Sequence, residues 1–223
     1  MHDEDIRIEE LRTADETRRA AAVLDEVWTD GSGVSAELLR ALAASGNYVV
    51  GLYDGERMIG ASAAFFGPPD TRSMHSHITG IHSDYRAHGL GRRLKQHQRE
   101  WAIGHDVGHI TWTFDPLIAR NAHFNLLVLG ARVVGHEPHH YGADADRLTV
   151  SWALSGGRRT NPPEQDIIET VPVPRDIEAM RQDDPAAAQA WREKVRLRFD
   201  ALLEQGLVVA GFRDEAGYLF VRP

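Results

Sequence analysis

Three consecutive stretches, HSHITGIHS (His75–Ser83), DYRAHGLG (Asp84–Gly91) and RRLKQHQREWAI (Arg92–Ile103), decide how this chain is read. The first reads as a strand, and Gly80 inside it invites a bulge or a close backbone approach. The third continues a helix that carries Leu90, Leu94 and Trp101 along one side. Between strand and helix stands Arg86-x-x-Gly89-x-Gly91. At such a junction the first N–H groups of the helix point outward unpaired, the dipole favours an anion, and two glycines let a ligand come close to the backbone. The segment is built as a phosphate cradle. It lacks the Gly-Lys-Ser/Thr of a Walker loop, and its Gly-x-Gly is not completed to the dinucleotide fingerprint.

Upstream, Asp5 to Arg12 alternates Ile6 and Ile8 with charges, as a half-buried strand does. Asp15 opens a helical stretch with Ala20, Ala21, Leu24, Val27 and Trp28 on one face, and Ser35 caps a second helix with Leu38, Leu39 and Leu42 inward. Asn47–Tyr53 and Arg57–Phe66 read as strands joined by the hairpin signal Asp54-Gly55. Downstream, His109–Asp115 is a strand stopped by Pro116. Ala119–Leu129 is a short helix ended by Gly130, and Ala131–Tyr141 with Arg147–Leu154 make a last strand pair. Strand and helix alternate through the middle, which predicts a partly parallel sheet.

Beyond Leu154 the pattern breaks. Gly156-Gly157, Pro162-Pro163 and Pro172-x-Pro174 mark Ser155–Pro174 as a linker or crossing segment. Asp184-Pro185 then begins a helix with Trp191, Val195, Phe199 and Leu202 on one face, stopped by Gly206. Leu207–Phe212 and Tyr218–Val221 follow as a hairpin. A piece of this size buries little core alone, so it docks on the main domain or on a second subunit, the latter making a homodimer.

Composition narrows the chemistry. With 223 residues, 42% apolar and 26% charged, the chain is globular. No apolar run is long enough for a membrane helix and Met1-His2-Asp3-Glu4-Asp5 has the wrong charge for a secretory signal, so a cytoplasmic location is expected. The absence of Cys removes disulfides, Cys-ligated zinc, iron–sulfur clusters and a thiol nucleophile. A net charge of -8 argues against nucleic acid and acidic membranes as partners. Among 25 basic residues only Lys95 and Lys194 are lysines, and eleven of the twelve histidines fall between His75 and His140.

Together with the order of elements, Arg86-Ala87-His88-Gly89-Leu90-Gly91 resembles the signature Arg/Gln-x-x-Gly-x-Gly/Ala that follows the fourth strand in the GNAT family of acyl-CoA-dependent acyltransferases. The helix with Asn121 and Asn125, closing in Leu129-Gly130-Ala131, is similar to the family's second cofactor element, and the likeness runs from Asp5 to Leu154. The resemblance implies an α/β (α+β) fold, a mixed, splayed sheet flanked by helices, with a C-terminal helix–hairpin extension. It divides the chain into a catalytic domain at 1–154 and a linker plus extension at 155–223. The implied co-substrate is acetyl-CoA or another acyl-CoA, with no metal.

Carried over by position, the resemblance sets the CoA pyrophosphate on the N–H groups of Ala87, His88, Gly89, Leu90, Gly91 and Arg92, with Arg86 opening the loop. It runs the pantetheine arm along the backbone of Thr79, Gly80 and Ile81, and it offers Asn121 or Asn125 to the pantetheine amides. One departure concerns the acid. Many members carry a Tyr four residues before the Gly that ends the helix, and that position is Leu126 here. Tyr141 is a phenol that could substitute, or the thiolate leaves unaided.

For the base that takes the amine proton, His77 stands first, on one strand face with His75. Asp115 at the end of the fifth strand is another candidate, as is His82. The segment Ser155–Pro223 is large enough to cover one end of a splayed sheet and narrow the entrance, which favours the amine of a small molecule as acceptor, with Arg120 and Arg132 suited to pairing a carboxylate such as an amino acid bears. Two other classes compete. One is a noncatalytic acyl-CoA sensor on the same fold, and the other is a metal enzyme using His75, His77, His139 and His140.

Overall fold

The computed structural model describes residues 6–28, 33–85, 88–142, 145–157 and 160–223. The chain forms two compact units, residues 1–110 and 111–223. The first contains β1 (Ile6–Glu10), α1 (Ala14–Val27), α2 (Ala36–Ala44), β2 (Tyr48–Asp54), β3 (Arg57–Phe66), β4 (Ser73–Ile81) and α3 (Leu90–Gly104). A fifth strand, β5 (His109–Phe114), straddles the division.

In the first unit β1, β2, β3 and β4 pair in that order, each antiparallel to the next. The hairpin signal is realised: Asp54 pairs with Arg57 across a turn in which Gly55 adopts φ +55. A capping box starts α1. Thr13 Oγ1 accepts from the Glu16 N–H while Glu16 Oε2 accepts from the Thr13 N–H, so the helix opens at Ala14, one residue before the expected Asp15. Ser35 caps α2 as expected, its Oγ accepting from Leu38 N–H at 3.2 Å.

Two cores form on this sheet. Ala20, Ala21 and Leu24 of α1 and Leu39 of α2 pack with Val49, Tyr53, Met58, Ala61 and Ala63. Leu90 of α3 packs with Ile6, Leu52 and Ile59. Each buried Leu or Ile contributes on the order of 1.5–3 kcal/mol relative to exposure.

The second unit continues with α4 (Ala119–Ala122), a π-helical segment (His123–Val128), β6 (Arg132–Glu137), β7 (Arg147–Ala153), β8 (Glu169–Val171), α5 (Ile177–Asp183), α6 (Pro185–Glu204), β9 (Val208–Arg213) and β10 (Gly217–Val221). Here β6 pairs antiparallel with β7, and β10 is flanked by β8 and β9. The expected C-terminal hairpin is therefore joined by a third strand out of the segment read as a linker. Asp184 caps α6 with Pro185 in its first turn.

The buried stripe of α6 is Ala188, Arg192, Val195, Phe199 and Leu202. Trp191, expected inward, lies half-buried with Lys194 Nζ 4.7 Å from its ring centre. Arg192 takes the inward position because a carboxylate meets it there. Its guanidinium donates to Asp146 Oδ1 at 2.8 Å, and hydropathy patterning does not anticipate a buried pair.

Candidate functional site

The glycine-rich turn ends where α3 begins. Gly89 is the N-cap residue, at φ +73 and ψ 0, and no side chain caps the helix. The first intrahelical bond runs from Arg93 N–H to the Gly89 carbonyl at 3.1 Å, so the N–H groups ahead of it are those that a helix leaves for a ligand. Leu90 is 3% exposed and anchors the turn in the core, whereas His88, Gly89 and Arg92 face solvent.

The two glycines serve different needs. Gly89 has open space around a Cβ but a left-handed backbone, so conformation demands glycine there. A Cβ on Gly91 would meet only Ile81 Cδ1 at 4.0 Å, so the chain itself has room for a methyl group. Arg93 Nη2 donates to the Ile6 carbonyl at 2.6 Å, tying the start of α3 to β1. Arg86 and Ala87 lie outside the described residues.

The bulge expected near Gly80 falls at His77. Along the β3–β4 ladder Ala63 pairs with Ile78 and Ala64 with Ser76, leaving His77 as the extra residue. Gly80 is regular strand, opposite Ala61. Its lack of a side chain serves packing, since a Cβ would sit 2.9 Å from Leu24 Cδ2 and 3.2 Å from Val27 Cγ1 of α1.

His77 is exposed, and its ring lies 6.3 Å from His75 and 5.9 Å from Phe65, with His75 5.2 Å from the same Phe65 ring. On the C-terminal side of the bulge, Ser62 Oγ donates to the Ile78 carbonyl at 3.0 Å, and 2.8 Å separates it from Thr79 Oγ1.

On the N-terminal side stands a group the sequence reading did not place in the site. Lys95 of α3, 7% exposed, donates from Nζ to Ser76 Oγ at 2.8 Å and to Gln98 Oε1 at 3.0 Å. Burial without a neighbouring carboxylate among its causes brings its ammonium down to about 7. The available signal was its rarity, one of two lysines in a chain that otherwise uses arginine.

The remaining candidates divide. Asp115 is held twice: Oδ1 accepts from Leu117 N–H at 2.9 Å in a turn, and Oδ2 pairs with Arg181 Nη2 of α5 at 2.6 Å. Both of its carboxylate oxygens are thus engaged within the chain. Tyr141 lies past the end of β6, in a turn, 64% exposed, its ring against His140 and 5.2 Å from the Arg147 guanidinium. Asn121 is half-buried on α4, and Asn125 is 5% exposed within the π-helical segment. The sequence reading gave a plain helix there. Wide turns of this kind concentrate at functional sites. Arg120 forms a two-pronged pair with Glu178 of α5, which takes up the fork suggested for an acceptor carboxylate, while Arg132 is exposed on β6.

The histidine cluster disperses into separate partnerships. His97 Nδ1 meets the Tyr48 hydroxyl at 3.0 Å and His105 stacks on Trp101 at 3.7 Å. His123 pairs with Asp214, His136 with Asp200 and His140 with Glu137. His139 stands in a turn at φ +59, not on a strand, with its ring nitrogens near the guanidinium groups of Arg192 and Arg196. Among the described residues no group of three His, Asp or Glu side chains converges as a metal ion would require, and no helix is long and apolar enough to cross a membrane.

The sequence profile of the acetyltransferase (GNAT) family matches residues 8–124. No curated protein matches the chain. Among solved structures, the ribosomal-protein-S18-alanine N-acetyltransferase from Escherichia coli is 15% identical, with 68% of this chain and 96% of that one covered at a TM-score of 0.58. A GNAT-family acetyltransferase from Streptococcus pneumoniae gives 14% identity, 67% and 99% coverage and 0.58. An aminoglycoside 6'-N-acetyltransferase complexed with coenzyme A gives 16%, 68% and 98%, and 0.56. At these identities the likeness is one of fold, a mixed α/β sheet flanked by helices, and about a third of this chain lies outside it.

Proposed function

Because the chain belongs to the GNAT acetyltransferase family, we propose that it moves an acetyl or related acyl group from acyl-CoA to the amine of a small molecule, by direct attack in a ternary complex. The observation that carries the reading is the start of α3, where Gly89 turns the chain in the left-handed region and no side chain caps the helix. That end fits a pyrophosphate, with the N–H groups of His88 to Arg92 as donors and the helix dipole behind them. Arg86 and Ala87 complete the loop in this reading, while Thr79, Gly80 and Ile81 offer backbone to the pantetheine arm and Asn125 or Asn121 its amide partner. When bound, acyl-CoA supplies an acyl group activated as a thioester.

The chain's own groups do the rest. His77, exposed at the bulge, takes the proton of the attacking amine. The C–N bond forms as the C–S bond breaks, and the electron pair of the latter leaves on sulfur. A thiol is acidic enough for that thiolate to depart without a donor. Tyr141, exposed in its turn, is the less favoured alternative as acid. We keep the catalytic domain at 1–154 and treat 155–223 as its appendage, with a homodimer through that appendage as one arrangement.

A small acceptor suits the acidic chain better than a nucleic acid does. A matrix of acyl-CoA donors against small amines, amino acids, peptides and proteins, read by free-thiol release, tests the assignment. Turnover with a small amine is expected. Turnover with peptides or proteins alone refutes the small-molecule reading, and CoA binding without turnover on any acceptor returns the chain to an acyl-CoA sensor.

A further inference from the structure

We propose that Lys95 is a positioning residue for acyl transfer, holding the β4 bulge that presents His77 in register with the helix that binds the donor. The proposal rests on the function given above and adds a residue to it. Three observations carry it. Lys95 stands within the first two turns of α3, the helix whose N-terminus forms the phosphate cradle. Its Nζ reaches across to Ser76 Oγ, on the residue immediately before the extra residue of the bulge. Ser76 and Gln98, which accept from it, are themselves buried and uncharged, at 5% and 1% exposure.

A bulge is a local interruption of the ladder, and its position is specified by what holds the flanking residues. After His77 the strand is held by Ser62, through the Ile78 carbonyl and the Thr79 hydroxyl. Before His77 it is held by Lys95. Ser62 belongs to the sheet and fixes β4 to β3. Lys95 belongs to α3 and fixes β4 to the donor-binding helix. A shift of β4 at Ser76 moves His77 relative to a thioester whose pyrophosphate is fixed at Gly89, and misplacement of about 1 Å costs about 10²-fold in rate.

Lysine is suited to this reach. A four-methylene stem suits burial, and the ammonium at its end donates to the Ser76 and Gln98 oxygens. Burial of that ammonium is unfavourable, and packing alone would be served by Met at the same volume. The retained donor points to a role beyond filling space.

The test compares wild type with Lys95→Met and Ser76→Ala, singly and together, using the full chain. Expected for Lys95→Met is a kcat lowered about tenfold to a hundredfold, with KM for acyl-CoA little changed and the melting temperature at neutral pH equal or higher, since a desolvated ammonium is removed. Ser76→Ala should reproduce part of the loss, and the double variant should be no worse than Lys95→Met, because both remove one contact. A purely structural lysine would instead lower thermal stability and raise KM in step with any loss of kcat, and that pattern overturns the proposal. So does an unchanged kcat in Lys95→Met while wild type turns over.

Amide exchange in the free protein provides a readout independent of turnover. Lys95→Met should speed exchange at Ser76, His77 and Ile78 while leaving α1 unaffected. If wild type transfers no acyl group the functional reading fails by itself, and unchanged exchange at those amides still refutes the tie.

Discussion

Gly89 offers a way to separate the electrostatics of the cradle from its backbone geometry. At φ +73 most side chains cost about 1–2 kcal/mol, but Asn and Asp tolerate this region and are nearly the same size. A Cβ at Gly89 meets nothing within 4 Å, so both side chains fit without displacing a neighbour. Gly89→Asn and Gly89→Asp therefore differ almost only by one negative charge at the helix N-terminus. In the free protein that charge interacts favourably with the dipole, by about 0.3–1 kcal/mol, and should raise the melting temperature of the Asp variant over the Asn variant by up to about 2–4 °C. In the proposed complex the same charge would stand beside the pyrophosphate, and a separation of about 5 Å serves for the arithmetic. At an effective dielectric of about 20 each unit charge there repels it by about 3 kcal/mol, and the solvent exposure of His88 and Gly89 reduces this to about 1–3 kcal/mol. CoA affinity should accordingly be about tenfold to a hundredfold lower for Asp than for Asn, with the gap closing as salt rises. Calorimetric titration of CoA into both variants, with thermal melts beside it, decides the matter. Equal affinities at low salt would refute the placement of the pyrophosphate at this helix end.

Three further expectations concern catalysis and pH. His77→Ala should lower kcat by at least about tenfold while the Kd for acyl-CoA stays within about twofold; a pH–rate profile identical to that of wild type would remove His77 as base. Tyr141→Phe should leave kcat within about twofold, because the phenol is exposed in a turn, and a tenfold fall would restore it as the acid. Lys95 has a folded-state pKa near 7 against about 10.4 when unfolded, so between those values the unfolded chain binds more protons and stability rises with pH, by at most about 1.4 kcal/mol per unit. Below about 7 both states hold the proton and the contribution levels off. Urea unfolding at pH 7, 8 and 9 should show wild type gaining on Lys95→Met, and a constant difference would show that the ammonium is not desolvated.

What the sequence made legible is the part fixed by local chemistry. Asp54-Gly55 sets a hairpin because Gly55 supplies a positive φ, Ser35 and Asp184 cap helices through their own side chains, and Gly89 turns the chain into α3. What escaped depends on partners distant in sequence. Gly80 attracted a bulge because glycine often marks one, yet it is glycine because α1 lies against it. Asp115 stands in the sequence with no basic neighbour, yet Arg181, sixty-six residues on, pairs with it. Arg192 replaced Trp191 inside α6 because Asp146 waits there, and the π-helical segment shows no mark in hydropathy. The site followed the same division: the cradle is a local motif, whereas Ser62, Ser76 and Lys95 matter only through the bulge that the β3–β4 register creates.

That bulge also decides which helix each residue of β4 meets. In an uninterrupted strand Ser76, Ile78 and Gly80 would share a face. Here Ile78 joins the core with α1 and α2, and the missing Cβ of Gly80 would point at Leu24 and Val27 of α1. Ser76 instead meets Lys95 of α3. The extra residue at His77 produces the reversal. Were His77 instead paired in a regular ladder, Ser76 would turn toward the apolar side under α1, where a hydroxyl has no partner from Lys95, and a buried ammonium would face a different residue of β4. Loss of one hydrogen bond to a charged group costs about 1.5–3 kcal/mol, and the stranded charge costs more. Lys95 thus selects the bulged register over the regular one. The bulge in turn leaves His77 outside the regular β3–β4 pairing, at the point on β4 where the proposed chemistry requires a base.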